Sequence, residues 1–157
     1  MSNEIESELY TKSQVMLALY KEHSAWSRHQ ESQRSIVGNL IITISAILIS
    51  VITYDKAINT TDLPSVLLII ILGIFGALFS YKYYERFIFH DNRIEEYKLK
   101  IEKLFPDINL QVMDELALSK TSEEFTFLKK YRLHFFWIFF HLLVAVGGIF
   151  LLFLILY

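Results

Sequence analysis

The sequence predicts an all-α membrane protein with three transmembrane helices and long cytosolic helical extensions. Apolar residues make up 54% of the 157 residues, and the mean hydropathy is +0.38. A domain of this size has too little interior to hide so much apolar surface, so much of it must face lipid or other subunits. Only two prolines and five glycines interrupt the chain, which favours long helices.

Composition also excludes several classes of function. The chain has no cysteine, which excludes disulfides, thiolate metal sites and thiol nucleophiles. It contains no glycine-rich phosphate loop, no GxSxG and no HExxH, so we predict that it is not an enzyme and has no cofactor or metal. The polar and charged segment Met1–Arg34 is unlike a cleaved signal peptide.

Three uncharged stretches are the predicted spans: 36–54, 63–81 and 133–157, the last without charge from Phe135 onward. Each is close to the roughly 20 residues that cross a hydrocarbon core of about 30 Å, and backbone groups in lipid require a helix. The turn Asp55–Asp62 joins the first two spans. Asp62 is a predicted N-cap, and Pro64 suits the first helical turn because its missing N–H costs nothing there.

Lysine and arginine counts predict the orientation. The segment 1–35 carries four, the turn between the first two spans one, the segment 82–132 ten, and the third span none. By the positive-inside rule, segments 1–35 and 82–132 are cytosolic, whereas the turn and the C-terminal Tyr157 face the opposite side.

The second span is predicted to continue as a cytosolic helix that Pro106 ends. Apolar residues there repeat at heptad spacing, and the register extends back into smaller residues within the span. The residues predicted to pack against other helices or subunits are Gly73, Gly76, Ser80, Tyr83, Phe87, Ile94, Tyr97 and Ile101.

The N-terminal segment is predicted to form a helix that enters the first span without a break and lies antiparallel to the helix after the second span. The segment 108–118 is a candidate for a shorter cytosolic helix. Thr121 and Glu124 fit a capping box, which would open a last helix running through Lys129, Lys130 and Arg132 into the third span.

A polar stripe follows the first span, where Asn39, Thr43, Ala46 and Ser50 are spaced by four, three and four residues. Polar residues within a bilayer usually face a bundle interior or water. One interpretation is a pore lined by Asn39, Thr43 and Ser50 in a homo-oligomer. The other is hydrogen bonding between helices or within the same helix.

Aromatic and basic residues cluster beside the first span. Rings and cations together suit a nucleotide or another phosphate-rich ligand, but they equally suit anchoring at an anionic leaflet. The candidate ligand-binding residues are Lys21, Trp26, Arg28, His29, Arg34, Arg86 and Arg93.

Two histidine pairs carry alternative interpretations. His23 and His90 lie on the two apolar cytosolic seams, either as a ligand or proton switch or as packed side chains. His134 and His141 share a face of the last helix. A haem or metal site there would need a second pair on a partnering helix, which is absent, so an interfacial His134 and a buried polar contact for His141 are the alternative.

The arrangement resembles the SLATT family of bacterial membrane effectors. The resemblance covers about residues 10–105 and is one of architecture: an aromatic and basic juxtamembrane helix, a two-span hairpin, and a long cytosolic helix from Tyr83 to Leu104. The juxtamembrane residues that carry it are Tyr20, Trp26, Arg28, His29, Gln33 and Arg34. The third span departs from the simplest two-span pattern.

The resemblance implies a pore-forming effector of the bacterial inner membrane in nucleotide-signalled anti-phage defence. Such an effector would be a homo-oligomer in the lipid bilayer that disrupts the membrane, causing abortive infection. Its signal would be a nucleotide or oligonucleotide from a partner nucleotidyltransferase. The alternative expectation is a non-conducting membrane anchor or adaptor that recruits a soluble partner protein.

Overall fold

A computed structural model describes residues 2–54, 57–125 and 132–157. Within these ranges the chain forms four α-helices and no strand: α1 (Ser2–Ile52), α2 (Leu63–Leu104), α3 (Leu110–Glu124) and α4 (Leu133–Leu156). The all-α prediction is confirmed. Asp55 and Lys56 of the predicted turn, and Lys129 and Lys130 of the predicted last helix, lie outside the described residues.

Three of the described helices, α1, α2 and α4, are long and apolar enough to cross a membrane. The 51 residues of α1 rise about 77 Å and the 42 residues of α2 about 63 Å, at about 1.5 Å per residue. Both exceed a hydrocarbon core of about 30 Å by a wide margin. The 24 residues of α4 have the length of a single span.

The chain divides into two compact units. The polar unit comprises Met1–Gln30 with Glu85–Tyr131, and the apolar unit comprises Glu31–Tyr84 with Arg132–Tyr157. The polar unit therefore contains the N-terminal part of α1, the C-terminal part of α2, and α3. The apolar unit contains the uncharged parts of α1 and α2 together with α4.

Local hydrogen bonds explain where α2 begins and ends. Before α2, residues Thr60–Asp62 form a 3₁₀ turn whose N-cap is Asn59 and not the predicted Asp62. The Asn59 side chain accepts a hydrogen bond from the Thr61 amide at 2.9 Å, and the Asp62 carboxylate accepts one from the Asn59 amide at 3.0 Å. Pro64 then lies in the first turn. After Leu104, residues Pro106–Ile108 form a 3₁₀ turn, and Asn109 takes the left-handed conformation (φ 51°) that asparagine tolerates well.

The predicted capping box at Thr121 and Glu124 is wrong. Thr121 lies inside α3, where its hydroxyl donates to the carbonyl oxygen of Ala117 at 2.8 Å, so it caps no new helix. The side chains of threonine and serine can bond backward to the preceding turn, and this competes with capping. The prediction that the last helix runs through Arg132 is also wrong, because Arg132 has an extended backbone (ψ 130°) and α4 begins at Leu133.

Glycines set the helix contacts in the apolar unit. A Cβ atom added at Gly73 would lie 2.5 Å from the amide nitrogen of Ala145, so the backbones of α2 and α4 approach closely there. Gly148 is equally tight, because a Cβ atom there would lie 2.7 Å from Cγ1 of Ile70. Beyond these contacts, Ile52, Val66 and Ile69 form a fully buried apolar cluster. Small residues at such crossings permit the van der Waals packing that holds helices together in lipid.

The polar unit is held by side chains from α1, α2 and α3. The rings of His23 and Tyr97 lie 5.6 Å apart between their centroids, and Tyr97 is buried. Lys98 on α2 donates to the Asp114 carboxylate on α3 at 2.9 Å. This hydrogen bond, reinforced by Glu95, raises the pKa of Lys98 above its usual value. The pair joins α3 to α2.

Gly73→Ala should lower the melting temperature of the purified protein. The added methyl has no room against the Ala145 backbone, and such overpacking costs about 1–3 kcal/mol. Gly147→Ala is the matched control on α4, because no atom lies within 4 Å of a Cβ atom there. That variant should be neutral or gain roughly 0.5–1 kcal/mol from helix propensity. Equal melting temperatures for the two variants would contradict this account of the packing.

Candidate functional site

The polar stripe of α1 lies on the outer surface of the apolar unit. Asn39, Thr43 and Ser50 are all exposed, whereas Ile41 and Ser45 of the same helix are buried. The stripe borders a groove of 720 Å³ lined by Ile42, Thr43, Ala46, Ile47, Ser50, Val51 and Tyr54. A second cleft, of 410 Å³, is lined by Asn39 of α1 and by aromatic residues of α4: Phe136, Trp137 and Phe140. Thr43 and Ser50 therefore face away from α2 and α4, whereas Asn39 borders α4.

One residue of the stripe has a partner within α1. The Ser50 hydroxyl donates to the carbonyl oxygen of Ala46 at 2.8 Å, which is the bond within the same helix that the sequence left open. A hydroxyl bound in this way still has lone pairs that can accept a hydrogen bond. Ser50 therefore remains able to contact water or a second chain.

The residues predicted to pack all belong to inward-facing parts of α2. Gly73, Gly76 and Ser80 are buried in the apolar unit, and Tyr83 is partly buried there. In the polar unit, Tyr97 is buried, and the remaining members are partly buried: Phe87, Ile94 and Ile101. Gly73 and Gly76 contact residues of the same chain, Ala145 and His141.

Most of the predicted ligand-binding residues lie in the polar unit. Five of them are exposed: Lys21, Trp26, Arg28, His29 and Arg86. Trp26 and His29 meet edge to face, with centroids 5.6 Å apart, and both line a groove of 350 Å³. Arg93 is partly buried and donates to the Tyr97 hydroxyl at 2.6 Å. Arg34 belongs instead to the apolar unit, where it is only 5% exposed.

The His23 and His90 side chains meet directly in the polar unit. Their Nδ1 atoms lie 2.9 Å apart, so one must donate while the other accepts. Trp26 stacks on the His90 ring, with an angle of 12° between the planes. Burial, followed by the charges of His23 and Arg86, lowers the pKa of His90. Protonating both rings would leave two donors facing each other.

His141 is fully buried in the apolar unit, and neither ring nitrogen has a hydrogen-bond partner among the described residues. Two glycines make room for this ring. A Cβ atom at Gly76 would lie 2.5 Å from its Nδ1, and one at Gly38 would lie 3.4 Å from its Nε2. Across the described ranges, no group of three or more His, Asp or Glu side chains is placed to hold a metal ion.

Ser45 was not predicted from the sequence, yet it is 1% exposed and its hydroxyl has no partner within the described ranges. The spacing of residues along α1 could have indicated that Ser45 is buried. Gly38, Ile41, Ser45, Leu48 and Ile52 are spaced by three, four, three and four residues, and all are buried or partly buried. This inward stripe lies next to the polar stripe on the same helix.

Nothing matches this chain in comparisons with protein-family models, curated proteins and solved structures. The resemblance to the SLATT family therefore stays a prediction.

Acid should weaken the polar unit through His90. The fold lowers the pKa of His90, so below about pH 6.5 the unfolded chain binds more protons than the folded chain does. Its contribution to stability is complete above that pH and is lost as the pH falls towards the lower folded pKa. We expect the melting temperature to drop between about pH 7.5 and pH 5.5, and to drop less in His90→Phe.

His29→Gln is the control for this experiment, because His29 is exposed. It should leave the pH dependence unchanged. If His90→Phe loses as much stability on acidification as the unsubstituted protein, the His23–His90 contact is not the acid-sensitive element.

Proposed function

We propose that this chain is a multi-pass protein of a bacterial inner membrane, with its N-terminus in the cytosol and Tyr157 on the opposite side. The distribution of lysine and arginine supports this orientation. Large apolar side chains on the outer surface of the apolar unit support a lipid environment, since water would disfavour them. Examples with exposed fractions above 50% are Ile36, Leu40, Ile71, Phe75, Leu78, Phe135 and Phe150.

The proposed activity is a homo-oligomeric pore or membrane-disrupting assembly. A single observation carries it: Thr43 and Ser50 of the polar stripe are exposed, and among the described residues their groove is lined only by residues 42–54, without α2 or α4. In a bilayer, an exposed amide such as that of Asn39 is costly against acyl chains, so it favours contact with a second chain or with water. If several copies arrange their α1 helices about a common axis, the polar stripe contacts both neighbouring copies and water along that axis.

The proposed role is that of an effector in anti-phage defence, which rests on the resemblance to the SLATT family. The cytosolic helices would receive a nucleotide or oligonucleotide signal from a partner nucleotidyltransferase. The exposed side chains of Lys21, Arg28 and Arg86 supply cations for phosphates, and Trp26 supplies a ring for stacking. Binding would gate the pore only if the ligand prefers one of its two states.

A non-conducting anchor or adaptor is the second candidate, and α3 favours it. This helix exposes several large apolar side chains in the polar unit: Val112, Met113, Leu116 and Leu118. A soluble partner protein could cover them. Co-purification of such a partner in stoichiometric amount, together with absence of ion flux in liposomes, would select this candidate over the pore.

Expression of the chain alone should depolarise bacterial cells, and Thr43→Leu with Ser50→Leu should abolish the effect by making the stripe apolar. A voltage-sensitive dye measures the potential after induction, and immunoblotting of membranes checks that the variant is inserted. Val146→Leu is the matched control on the exposed surface of α4. It should depolarise cells as the unsubstituted chain does.

Depolarisation by the double variant equal to that of the unsubstituted chain would remove the stripe from any pore wall. An unchanged potential in cells that contain the unsubstituted chain in their membranes would count against a constitutive pore.

A further inference from the structure

The cleft of 410 Å³ between α1 and α4 in the apolar unit has the size and lining of a small-molecule site. Such sites occupy about 300–1,000 Å³ and combine mostly apolar or aromatic walls with a few polar groups. Three aromatic rings of α4 line this cleft, and α1 contributes one amide. We call it the aromatic cleft, and its lining residues are Asn39, Ile42, Leu133, Phe136, Trp137 and Phe140.

The amide of the aromatic cleft belongs to Asn39, which is exposed there and does not line the groove of Thr43 and Ser50. An amide in apolar surroundings loses the hydrogen bonds that water would make, and only a polar partner recovers that cost. The side chains of Phe136 and Phe140 beside it have no polar atoms. Asn39 therefore favours a molecule in the cleft that carries a hydrogen-bonding oxygen.

A second polar group lies behind the wall of the aromatic cleft. His141 is fully buried, and neither of its ring nitrogens has a hydrogen-bond partner among the described residues. Its Nε2 lies 3.4 Å from the position of a Cβ atom on Gly38, and Cζ3 of Trp137 lies 3.0 Å from the same position. Trp137 lines the cleft, so the imidazole and this wall meet over one glycine, next to Asn39. A small shift of the Trp137 ring would bring Nε2 within reach of a ligand in the cleft.

The walls of the aromatic cleft favour a flat ring over a flexible chain. Aromatic rings pair with one another by offset stacking or by edge-to-face contact, which an acyl chain cannot provide. The cleft opens on the outer surface of the apolar unit, where Leu40 and Phe139 are each 57% exposed. A molecule that enters from this surface must be soluble in the membrane.

We propose that the aromatic cleft binds a membrane-soluble molecule that has a flat ring and hydrogen-bonding oxygens, which is the chemistry of a quinone. The Asn39 amide donates to one oxygen, and Nε2 of His141 is the partner of the other. The rings of α4 contact the ring of the ligand. An acyl chain would fill the same space but leave both polar groups without a partner.

This site goes beyond the proposed pore and does not depend on it. It assigns Asn39 to a ligand, whereas the pore test rests on Thr43 and Ser50. Binding is measured on solubilised protein that conducts nothing. Failure of the pore proposal therefore leaves the ligand site standing, and failure of the ligand site leaves the pore standing.

Melting temperatures of the purified full chain in a neutral detergent test the site with two probes. Menadione carries two oxygens on a flat ring system, and methylnaphthalene has the same carbon skeleton without the oxygens. A ligand that binds the folded state raises the melting temperature, and the dependence on probe concentration gives an apparent affinity. Partition of a probe into the detergent is the same for every variant, so a difference between variants reports the cleft.

Asn39→Leu should weaken menadione binding by roughly two- to tenfold, which is the contribution of one neutral hydrogen bond. It should leave the binding of methylnaphthalene unchanged. Asn39 is exposed, so this change should not unfold the chain. His141→Phe keeps a flat ring but removes both nitrogens, and it should weaken menadione binding by a similar factor. Val146→Leu is the matched control, because Val146 is exposed on α4 outside the cleft.

Stabilisation by menadione that Asn39→Leu weakens and Val146→Leu retains supports the site. The proposal is overturned if menadione does not raise the melting temperature of the unsubstituted chain. It is equally overturned if Asn39→Leu or folded His141→Phe leaves menadione binding unchanged, or if Asn39→Leu weakens both probes alike, since the cleft would then hold an apolar occupant only. If His141→Phe does not fold, Asn39→Leu alone decides.

Discussion

The close approach of α2 to α4 at Gly73 and Ala145 determines how the apolar unit is arranged. Because no side chain fits between these backbones, the face of α2 that carries Gly73 and Gly76 must point inward. The same packing draws Gly38 of α1 against Trp137, which fixes the inward face of α1 as well. Helical periodicity then leaves the polar stripe of α1 on the outside. The proposed association between copies is therefore a consequence of packing inside one copy.

The apolar unit differs from the polar unit because it buries polar side-chain atoms that have no hydrogen-bond partner among the described residues. Within the described ranges, the buried side-chain atoms that lack a hydrogen bond belong to Arg34, Ser45 and His141, all in this unit. Buried polar atoms are normally paired, so each such group carries a cost that a purely structural bundle would avoid. Functional sites are where natural proteins tolerate such costs. The polar unit instead joins its helices by a histidine pair and the Lys98–Asp114 contact.

Local rules were enough to predict much of the fold. The end of α2 follows from Pro106, and the uninterrupted course of α1 follows from the absence of Pro and Gly before Gly38. Which stripe of α1 faces inward could not be predicted, because the stripes beginning at Gly38 and Asn39 have equivalent spacing and only tertiary contacts separate them. The capping box predicted at Thr121 was wrong because a threonine hydroxyl can also donate to the carbonyl oxygen of the preceding helical turn, as it does to Ala117.

The central claim is that copies of the chain meet along the polar stripe of α1, and crosslinking tests it directly. The natural chain has no cysteine, so Ser50→Cys introduces a single thiol at the stripe, and Val146→Cys introduces one on the exposed face of α4. Membranes containing each variant are treated with a short bifunctional maleimide and separated by denaturing electrophoresis. The account predicts a covalent dimer for Ser50→Cys and a monomer for Val146→Cys. A monomer for Ser50→Cys, with its thiol shown to be reactive towards a single maleimide, would contradict it.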